Sequence, residues 1–135
     1  MADFTLHETL AADTVALLSW PLSRVLLMND SRYPWLILVP ARTGMNEIHD
    51  LAPADQTCLM EEIDRASKTL AHLYSPQKIN VGALGNIVPQ LHIHVVARFA
   101  DDDAWPGPVW GAHPARPYDP TALEETVRSL REAFA

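Results

Sequence analysis

The chain has 135 residues, of which 48% are hydrophobic and 20% charged, so we expect one folded domain with a buried core. Ten Lys and Arg against seventeen Asp and Glu give a net charge of -7, which argues against a general nucleic-acid binder because such proteins need a basic surface. The apolar stretches are too short to span a bilayer, and the single cysteine excludes an intrachain disulfide. No signal-peptide pattern opens the sequence, so we expect a soluble cytoplasmic protein that binds neither membrane nor nucleic acid.

Three short apolar runs separated by turn formers fill the first forty residues. They cover 15–18, 24–28 and 35–39, and their lengths and branched residues favour strands. Asn29, Asp30, Ser31 and Arg32 lie between the second and third runs and are typical of a turn between antiparallel neighbours.

The hydrophobic period then changes to that of an α-helix. One stripe at helical spacing is formed by Leu59, Ile63, Ala66, Leu70 and Leu73. Pro53 suits the first turn of this helix, and Ser75 followed by Pro76 supplies its end.

The remainder of the chain predicts two strands, an irregular loop and a last helix. The strands cover 79–83 and 91–99, with a bend between them at Gly82, Gly85 and Asn86. Prolines forbid regular structure over most of 100–120, and a helix is predicted over about 120–134. The whole predicts an α+β fold: an antiparallel sheet of about five strands with one long and one C-terminal helix, in a single domain over 1–135.

The segment 90–98 carries the most chemical information. Side chains alternate between the two faces of a strand, so Gln90, His92 and His94 are expected on one face and Leu91 and the branched residues after it on the other. Imidazole titrates near neutral pH and can act as nucleophile, base or acid. Two imidazoles on one face can therefore have separate roles in a reaction at phosphorus: one attacks the phosphorus atom and the other contacts the leaving group.

Here the sequence resembles the histidine triad (HIT) family. The run Gln-Leu-His-Ile-His-Val-Val over 90–96 is similar to the family signature His-φ-His-φ-His-φ-φ, where φ is apolar, with Gln in the first place. The stretch 80–89 resembles the family's Asn-x-Gly lead-in and glycine bend, and Asn29 and Asp30 before the third strand match another of its segments. The motif-bearing core covers about 24–98.

The resemblance implies a nucleotide hydrolase or nucleotidyl transferase, usually a homodimer, that acts through a nucleotidyl-histidine intermediate. By position, His92 would be the nucleophile, while His94 would contact phosphate or assist the leaving group. The ribose would be held at Asn29 and Asp30, and the phosphate edge would be formed by Asn80, Gly85 and Asn86. No metal or other cofactor is expected.

Three residues depart from the family pattern. Gln90 replaces the first histidine, and an amide can hydrogen-bond but cannot titrate. Ile87 stands where a hydroxyl-bearing residue is common, and Trp35 where many relatives place a histidine. The departures at Gln90 and Ile87 leave open a nucleotide-binding protein with little turnover. A His-x-His pair is also half of a metal site, so a metal-binding regulatory domain is a further alternative.

The acidic and aromatic residues of the 100–120 loop have two interpretations each. Trp105 and Trp110 are expected to pin the loop to the core, with walling of the site as the alternative. The acidic run 101–103 is expected to be solvated, with binding of a divalent cation as the alternative.

Overall fold

The computed structural model describes residues 3–135 and contains a five-stranded antiparallel sheet. Its strands are β1 (Thr14–Ser19), β2 (Ser23–Met28), β3 (Trp35–Pro40), β4 (Lys78–Gly82) and β5 (Ile93–Arg98). Its helices are α1 (Glu8–Asp13), α2 (Pro53–Tyr74) and α3 (Pro120–Phe134), with a 3-10 turn at Ile48–Asp50. The predicted α+β fold, with one long and one C-terminal helix, is confirmed.

The strands lie in the order β1-β2-β3-β5-β4, which places β5 inside the sheet between β3 and β4. Ile37 of β3 and Gly82 of β4 are both register partners of His94. A histidine on a central strand is held by hydrogen-bonded neighbours on both sides, so its position in space is well determined.

Both faces of the sheet are covered. Helices α2 and α3 pack on one face, where Leu59, Leu70 and Leu130 join the alternate apolar residues of the strands in one core cluster. The opposite face is covered by a second cluster that includes Trp35, Val96 and Val109. Because both faces are buried, every residue of β3 and of β5 is buried. This explains why these strands lack a simple alternation of polar and apolar residues.

Helix α2 has the start and end that its sequence predicts. Pro53 occupies the first turn, where the missing N–H costs nothing, and Ser75 adopts a left-handed conformation with φ of 48° at the C-terminal end. The N–H of Ser75 donates to the carbonyl oxygen of Ala71. Leu59, Ala66 and Leu70 are buried against the sheet, as the helical stripe predicts.

Two local features differ from the expectation. Helix α1 was not predicted, because its six residues are too few to show a helical period in the sequence. It begins with a cap in which the Nδ1 atom of His7 accepts a hydrogen bond from the N–H of Thr9. Strand β5 begins at Ile93 and not at residue 91, because the N–H of Leu91 donates outside the sheet to the carbonyl oxygen of Met45.

Among residues 3–135, none of the helices combines the length and the apolar character that a membrane crossing requires.

Candidate active site

Two imidazole rings meet where β5 begins. The ring centroids of His92 and His94 lie 5.0 Å apart at an angle of 69° between the ring planes. Both residues are buried, with exposed fractions of 7% and 6%. They lie on the sheet face opposite helices α2 and α3, together with Trp35 and Trp110.

The protonation of His92 follows from its hydrogen bond. The Nδ1 atom lies 2.7 Å from the backbone carbonyl oxygen of Gln90. A carbonyl oxygen can only accept a hydrogen bond, so Nδ1 carries the proton. The neutral ring then has its lone pair on Nε2, which is the form that a nucleophilic imidazole requires.

His94 has the opposite arrangement. The indole Nε1–H of Trp35 donates to the Nδ1 atom of His94 over 3.0 Å. Nδ1 therefore has no proton in this state, and the neutral ring carries its proton on Nε2. Burial, reinforced by the neighbouring His92, lowers the pKa of His94 from 6.5 to about 3. At neutral pH His94 is an uncharged hydrogen-bond donor.

Both histidines open onto a cavity of about 500 Å³. Its walls are mainly apolar, with few polar groups, as is usual for small-molecule sites. The apolar lining consists of Met28, Trp35, Leu84, Ile87, Val88, Val109, Trp110 and Ala115. The polar side chains of the lining are those of Asp30, Asn86, His92, His94 and His113.

The glycine bend before β5 forms one rim of this cavity. Gly85 has a φ of 80°, a left-handed conformation that favours glycine, and lines the cavity with Asn86. Within the described chain, no hydrogen bond uses the backbone N–H groups of these two residues. Such free N–H groups can bind phosphate oxygens. Ile87 lies on the same rim with 90% of its side chain exposed.

The acidic residue of the β2–β3 turn also reaches the cavity. Asp30 is 3% exposed and receives two hydrogen bonds of 3.0 Å from the guanidinium group of Arg32. Burial alone would raise the pKa of Asp30, but the hydrogen bonds from Arg32 outweigh it and hold this pKa below its usual value. The carboxylate is thus ionised and held in place by three hydrogen bonds from Arg32.

Three other sequence-predicted residues do not line this cavity. Asn29 accepts a hydrogen bond from the N–H of Tyr118 and borders a neighbouring depression. The Oδ1 atom of Asn80 accepts a hydrogen bond of 2.8 Å from Arg98. The side chain of Gln90 bonds the N-terminal segment: its Oε1 accepts from the N–H of His7 and its Nε2 donates to the carbonyl oxygen of Thr5.

The loop after β5 is fastened by a buried ion pair. Arg98 donates to both carboxylate oxygens of Asp102, over 2.8 and 3.0 Å, and also to the carbonyl oxygen of Gly107. The side chains of Arg98 and Asp102 are only 2% and 3% exposed. The expectation that 101–103 is a solvated run is therefore wrong for Asp102, because a buried guanidinium group requires a buried partner.

The two tryptophans of this loop differ. Trp105 is 37% exposed, with its ring over the guanidinium group of Arg98. Trp110 lines the cavity, its ring 5.4 Å from that of His94, and its tip lies only 3.1 Å from where a Cβ on Gly82 would be. The expectation that both only pin the loop is wrong for Trp110, which is a wall of the cavity.

Sequence reasoning missed the contribution of Trp35 and His113. In the sequence Trp35 is only a departure from the family pattern, and nothing in its flanking sequence signals a bond to a residue 59 positions away. His113 lines the cavity, with Nε2 3.0 Å from the hydroxyl oxygen of Tyr33. Its loop is irregular, so no period predicts where its ring lies.

Over residues 3–135, no group of three or more His, Cys, Asp or Glu side chains has the arrangement that a metal ion needs.

Comparisons with known proteins place the chain in a family. The HIT domain model matches residues 9–101. The chain is 42% identical to a histidine triad protein of Bradyrhizobium japonicum, with 99% of this chain and 100% of that one covered and a TM-score of 0.96. It is 45% identical to a histidine triad protein of Marinobacter aquaeolei VT8, with 98% and 96% covered and a TM-score of 0.95. Comparison with curated proteins gave no significant match.

The chain belongs to the HIT domain family. The likeness extends over nearly the whole of both solved chains, so it includes the sheet, both long helices and the loop after β5. Membership of this family supports a nucleotide-binding or hydrolase-type role.

Proposed function

We propose that this protein is a nucleotide hydrolase or nucleotidyl transferase that acts at the α-phosphate through a nucleotidyl-histidine intermediate on His92. The substrate class is a dinucleoside polyphosphate, a nucleoside phosphoramidate or a similar compound. The observation that carries this proposal is the hydrogen bond from His92 Nδ1 to the carbonyl oxygen of Gln90, which leaves the Nε2 lone pair at the cavity.

The reaction has two displacements. In the first, the lone pair of His92 Nε2 forms a bond to the α-phosphorus, and the bond from phosphorus to the leaving group breaks, so that the leaving group takes the electron pair. In the second, the oxygen of water or of an acceptor forms a bond to phosphorus as the bond from phosphorus to His92 Nε2 breaks. Nε2 takes back its electron pair, which regenerates the neutral imidazole, and the proton of the attacking oxygen passes to solvent. The Nε2–H of His94 donates a hydrogen bond to a phosphate oxygen or to the leaving atom.

Binding is assigned to the walls of the cavity. The free N–H groups of Gly85 and Asn86 donate hydrogen bonds to phosphate oxygens. The overall net charge of -7 does not prevent this, because the donors act locally. The fixed carboxylate of Asp30 accepts hydrogen bonds from ribose hydroxyls. Asn29 and Asn80 lie outside the cavity, where they accept hydrogen bonds from the N–H of Tyr118 and from the guanidinium group of Arg98.

The second candidate is a nucleotide-binding protein with little turnover. It is favoured by one observation: the first triad position holds Gln90, which cannot titrate and whose amide is committed to Thr5 and His7. Both candidates use the same cavity, so binding alone does not separate them.

Trapping the intermediate tests the proposal. The protein is mixed with diadenosine polyphosphates, adenosine phosphoramidates or adenylated amines, quenched rapidly and weighed by mass spectrometry. We expect a nucleotidyl increment that is absent in His92→Ala and present in His49→Ala, whose ring is 84% exposed in the 3-10 turn. Binding of nucleotide without adduct or turnover in the whole panel would favour the second candidate. An adduct that persists in His92→Ala would refute the assignment of the nucleophile.

The assembly is a separate proposal. We expect a homodimer, as the family resemblance implies, because the sheet has open edges at β1 and β4. Val81 on β4 is an apolar side chain with 48% exposure, which a partner strand or loop would cover. Light scattering at micromolar concentration should give twice the mass of one chain, and the mass of one chain would contradict the dimer.

A further inference from the structure

The hydrogen bond between Trp35 and His94 constrains the protons of the site. The Nε1–H of Trp35 lies 3.0 Å from His94 Nδ1, and each residue is 6% exposed. An indole N–H has no lone pair to offer and can only donate. His94 can place a proton on Nδ1 only by breaking this bond, which would leave two buried N–H groups facing each other without an acceptor.

The surroundings hold both rings in place. Trp35 is the first residue of β3, and its ring packs edge-on against Tyr33 at 6.2 Å. The ring of His94 is in contact with three other aromatic or imidazole rings, those of Trp35 at 5.7 Å, Trp110 at 5.4 Å and His92 at 5.0 Å. Rotation of the imidazole that would exchange its two nitrogens would require these neighbours to move.

We propose that Trp35 is a positioning residue, which fixes His94 as the neutral tautomer with its proton on Nε2. His94 then donates a hydrogen bond to the substrate from Nε2 and does not take up a second proton. The role of that hydrogen bond rests on the function proposed above, whereas the tautomer is a property of the free protein and can be measured without any substrate.

The charged groups around His94 agree with a neutral ring. His92 is the titratable group beside it, and its own Nδ1 proton is held by a carbonyl oxygen. From the β2–β3 turn, Asp30 lines the same cavity, but its carboxylate is paired with Arg32. From the loop after β5, His113 lines the cavity and contacts Tyr33. Arg98, further along β5, is paired with Asp102. None of these groups hydrogen-bonds His94.

The test compares two variants that make the same chemical change. Trp35→Phe keeps an aromatic ring and removes the N–H that bonds His94. Trp20→Phe removes an N–H that is buried without a hydrogen-bond partner in the described chain, in the core cluster on the helix-bearing face. Both variants should fold, because the ring and most of its buried area remain, and circular dichroism with urea unfolding establishes this before anything else is measured.

The primary measurement is the ¹⁵N chemical shift of the two His94 ring nitrogens in the free protein between pH 5 and 8. In the wild type and in Trp20→Phe we expect one protonated Nε2 and one unprotonated Nδ1 over this whole range. In Trp35→Phe the two shifts should approach each other, because both tautomers become populated. A wild-type spectrum with a proton on Nδ1, or a folded Trp35→Phe with an unchanged His94 spectrum, would overturn the proposal.

Kinetics give the second measurement. With any substrate that the wild type turns over, Trp35→Phe should lower kcat about ten-fold and change KM less, by analogy with the loss of an outer partner of a functional histidine. Trp20→Phe should leave both values within about two-fold, because its ring lies on the other face of the sheet. Equal kinetics for the two variants would count against Trp35 as a positioning residue. If no substrate is turned over, the proposed function fails, but the ¹⁵N spectra still decide whether Trp35 fixes the tautomer.

Discussion

The carbonyl oxygen of Gln90 lies 2.7 Å from Nδ1 of His92, so residue 90 contacts that imidazole through its backbone and directs its side chain elsewhere. The amide of Gln90 instead connects Thr5 and His7 to the rest of the molecule. A residue at the first triad position can therefore orient His92 whatever side chain it carries. Residue 90 therefore has two separate roles, which the sequence motif does not distinguish: its backbone carbonyl orients His92, and its side chain holds the N-terminal segment.

Gln90→Ala should lower turnover about ten-fold to a hundred-fold, as expected for loss of an outer partner. The carbonyl bond to His92 remains, but the contacts that fix the N-terminal segment beside it are lost. His92→Ala should cost far more because it removes the covalent route. The comparison uses kcat for both variants on one substrate. If a folded Gln90→Ala is as inactive as His92→Ala, the side chain of Gln90 has a direct part in the reaction.

Gln90→His should retain activity and alter the pH–rate profile between about pH 5 and 8, where imidazole titrates. An added titratable ring near His92 changes its pKa when it becomes charged. The measurement is kcat/KM against pH for the wild type and this variant. Identical profiles would show that the side chain at position 90 does not interact with the ring of His92. Turnover by Gln90→His alone, with an inactive wild type, would favour the binding-protein alternative.

Stability should fall as the pH is lowered from about 6.5 towards 3. In the unfolded chain an unperturbed histidine takes up a proton near pH 6.5, whereas His94 in the folded protein does so only at about 3. The unfolded state thus binds more protons in this window, and His94 alone can reduce the free energy of unfolding by up to about 1.4 kcal/mol per pH unit. Above pH 6.5 the ring of His94 is neutral in both states, so it no longer makes the free energy of unfolding depend on pH.

Urea unfolding between pH 7.5 and 4.5 measures this slope, with His94→Gln as the variant that lacks it. Asp30 and Asp102 have pKa values held below the ordinary 3.8, so their contributions are lost only at lower pH. We expect a steeper pH dependence for the wild type than for His94→Gln. Equal slopes would mean that His94 is protonated in the folded state as easily as in the unfolded chain.

Two ion pairs with the same i,i+4 spacing should differ strongly in their effect on stability. Arg98→Met leaves the carboxylate of Asp102 buried without its counter-charge, held only by backbone N–H groups such as those of Phe99 and Ala104, which should cost about 3–5 kcal/mol. Lys68→Met breaks an ion pair with Asp64 in which the Lys68 side chain is 77% exposed and the Asp64 side chain 58% exposed. It should change the free energy of unfolding by less than about 1 kcal/mol. Urea unfolding of both variants provides the comparison. A loss for Arg98→Met as small as that for Lys68→Met would show that Asp102 does not need the charge of Arg98, because water or backbone N–H groups stabilise its carboxylate.

Trp110→Leu should weaken nucleotide binding about ten-fold to a hundred-fold, because stacking of a base on an aromatic ring is worth about 1–3 kcal/mol. Trp105→Leu is the matched control, since that ring lies outside the cavity over Arg98. Titration calorimetry in a His92→Asn background measures affinity without turnover. Equal losses for the two tryptophans would indicate that the loop, and not the ring of Trp110, determines binding.

The sequence alone determined the architecture and the position of the histidine pair. Helical spacing in 53–74 and short branched runs elsewhere express local conformational preferences, and these suffice to define α2 and the five strands. His92 and His94 lie two positions apart at the start of β5, so their proximity is a property of the backbone. The glycine bend is adjacent in sequence and reaches the same cavity for the same reason.

Only the tertiary structure decided which partner each polar group has. Trp35 and His94 are 59 positions apart, and His7 and Gln90 are 83 apart, yet each pair shares a hydrogen bond. Burial of Asp102 likewise depends on Arg98 and on the fold of an irregular loop. A polar side chain with several donors or acceptors can satisfy them in many ways, and the choice among these is made by whatever the packed chain brings within about 3 Å. The periodicity of the sequence therefore does not predict which hydrogen-bond partner a polar side chain will have.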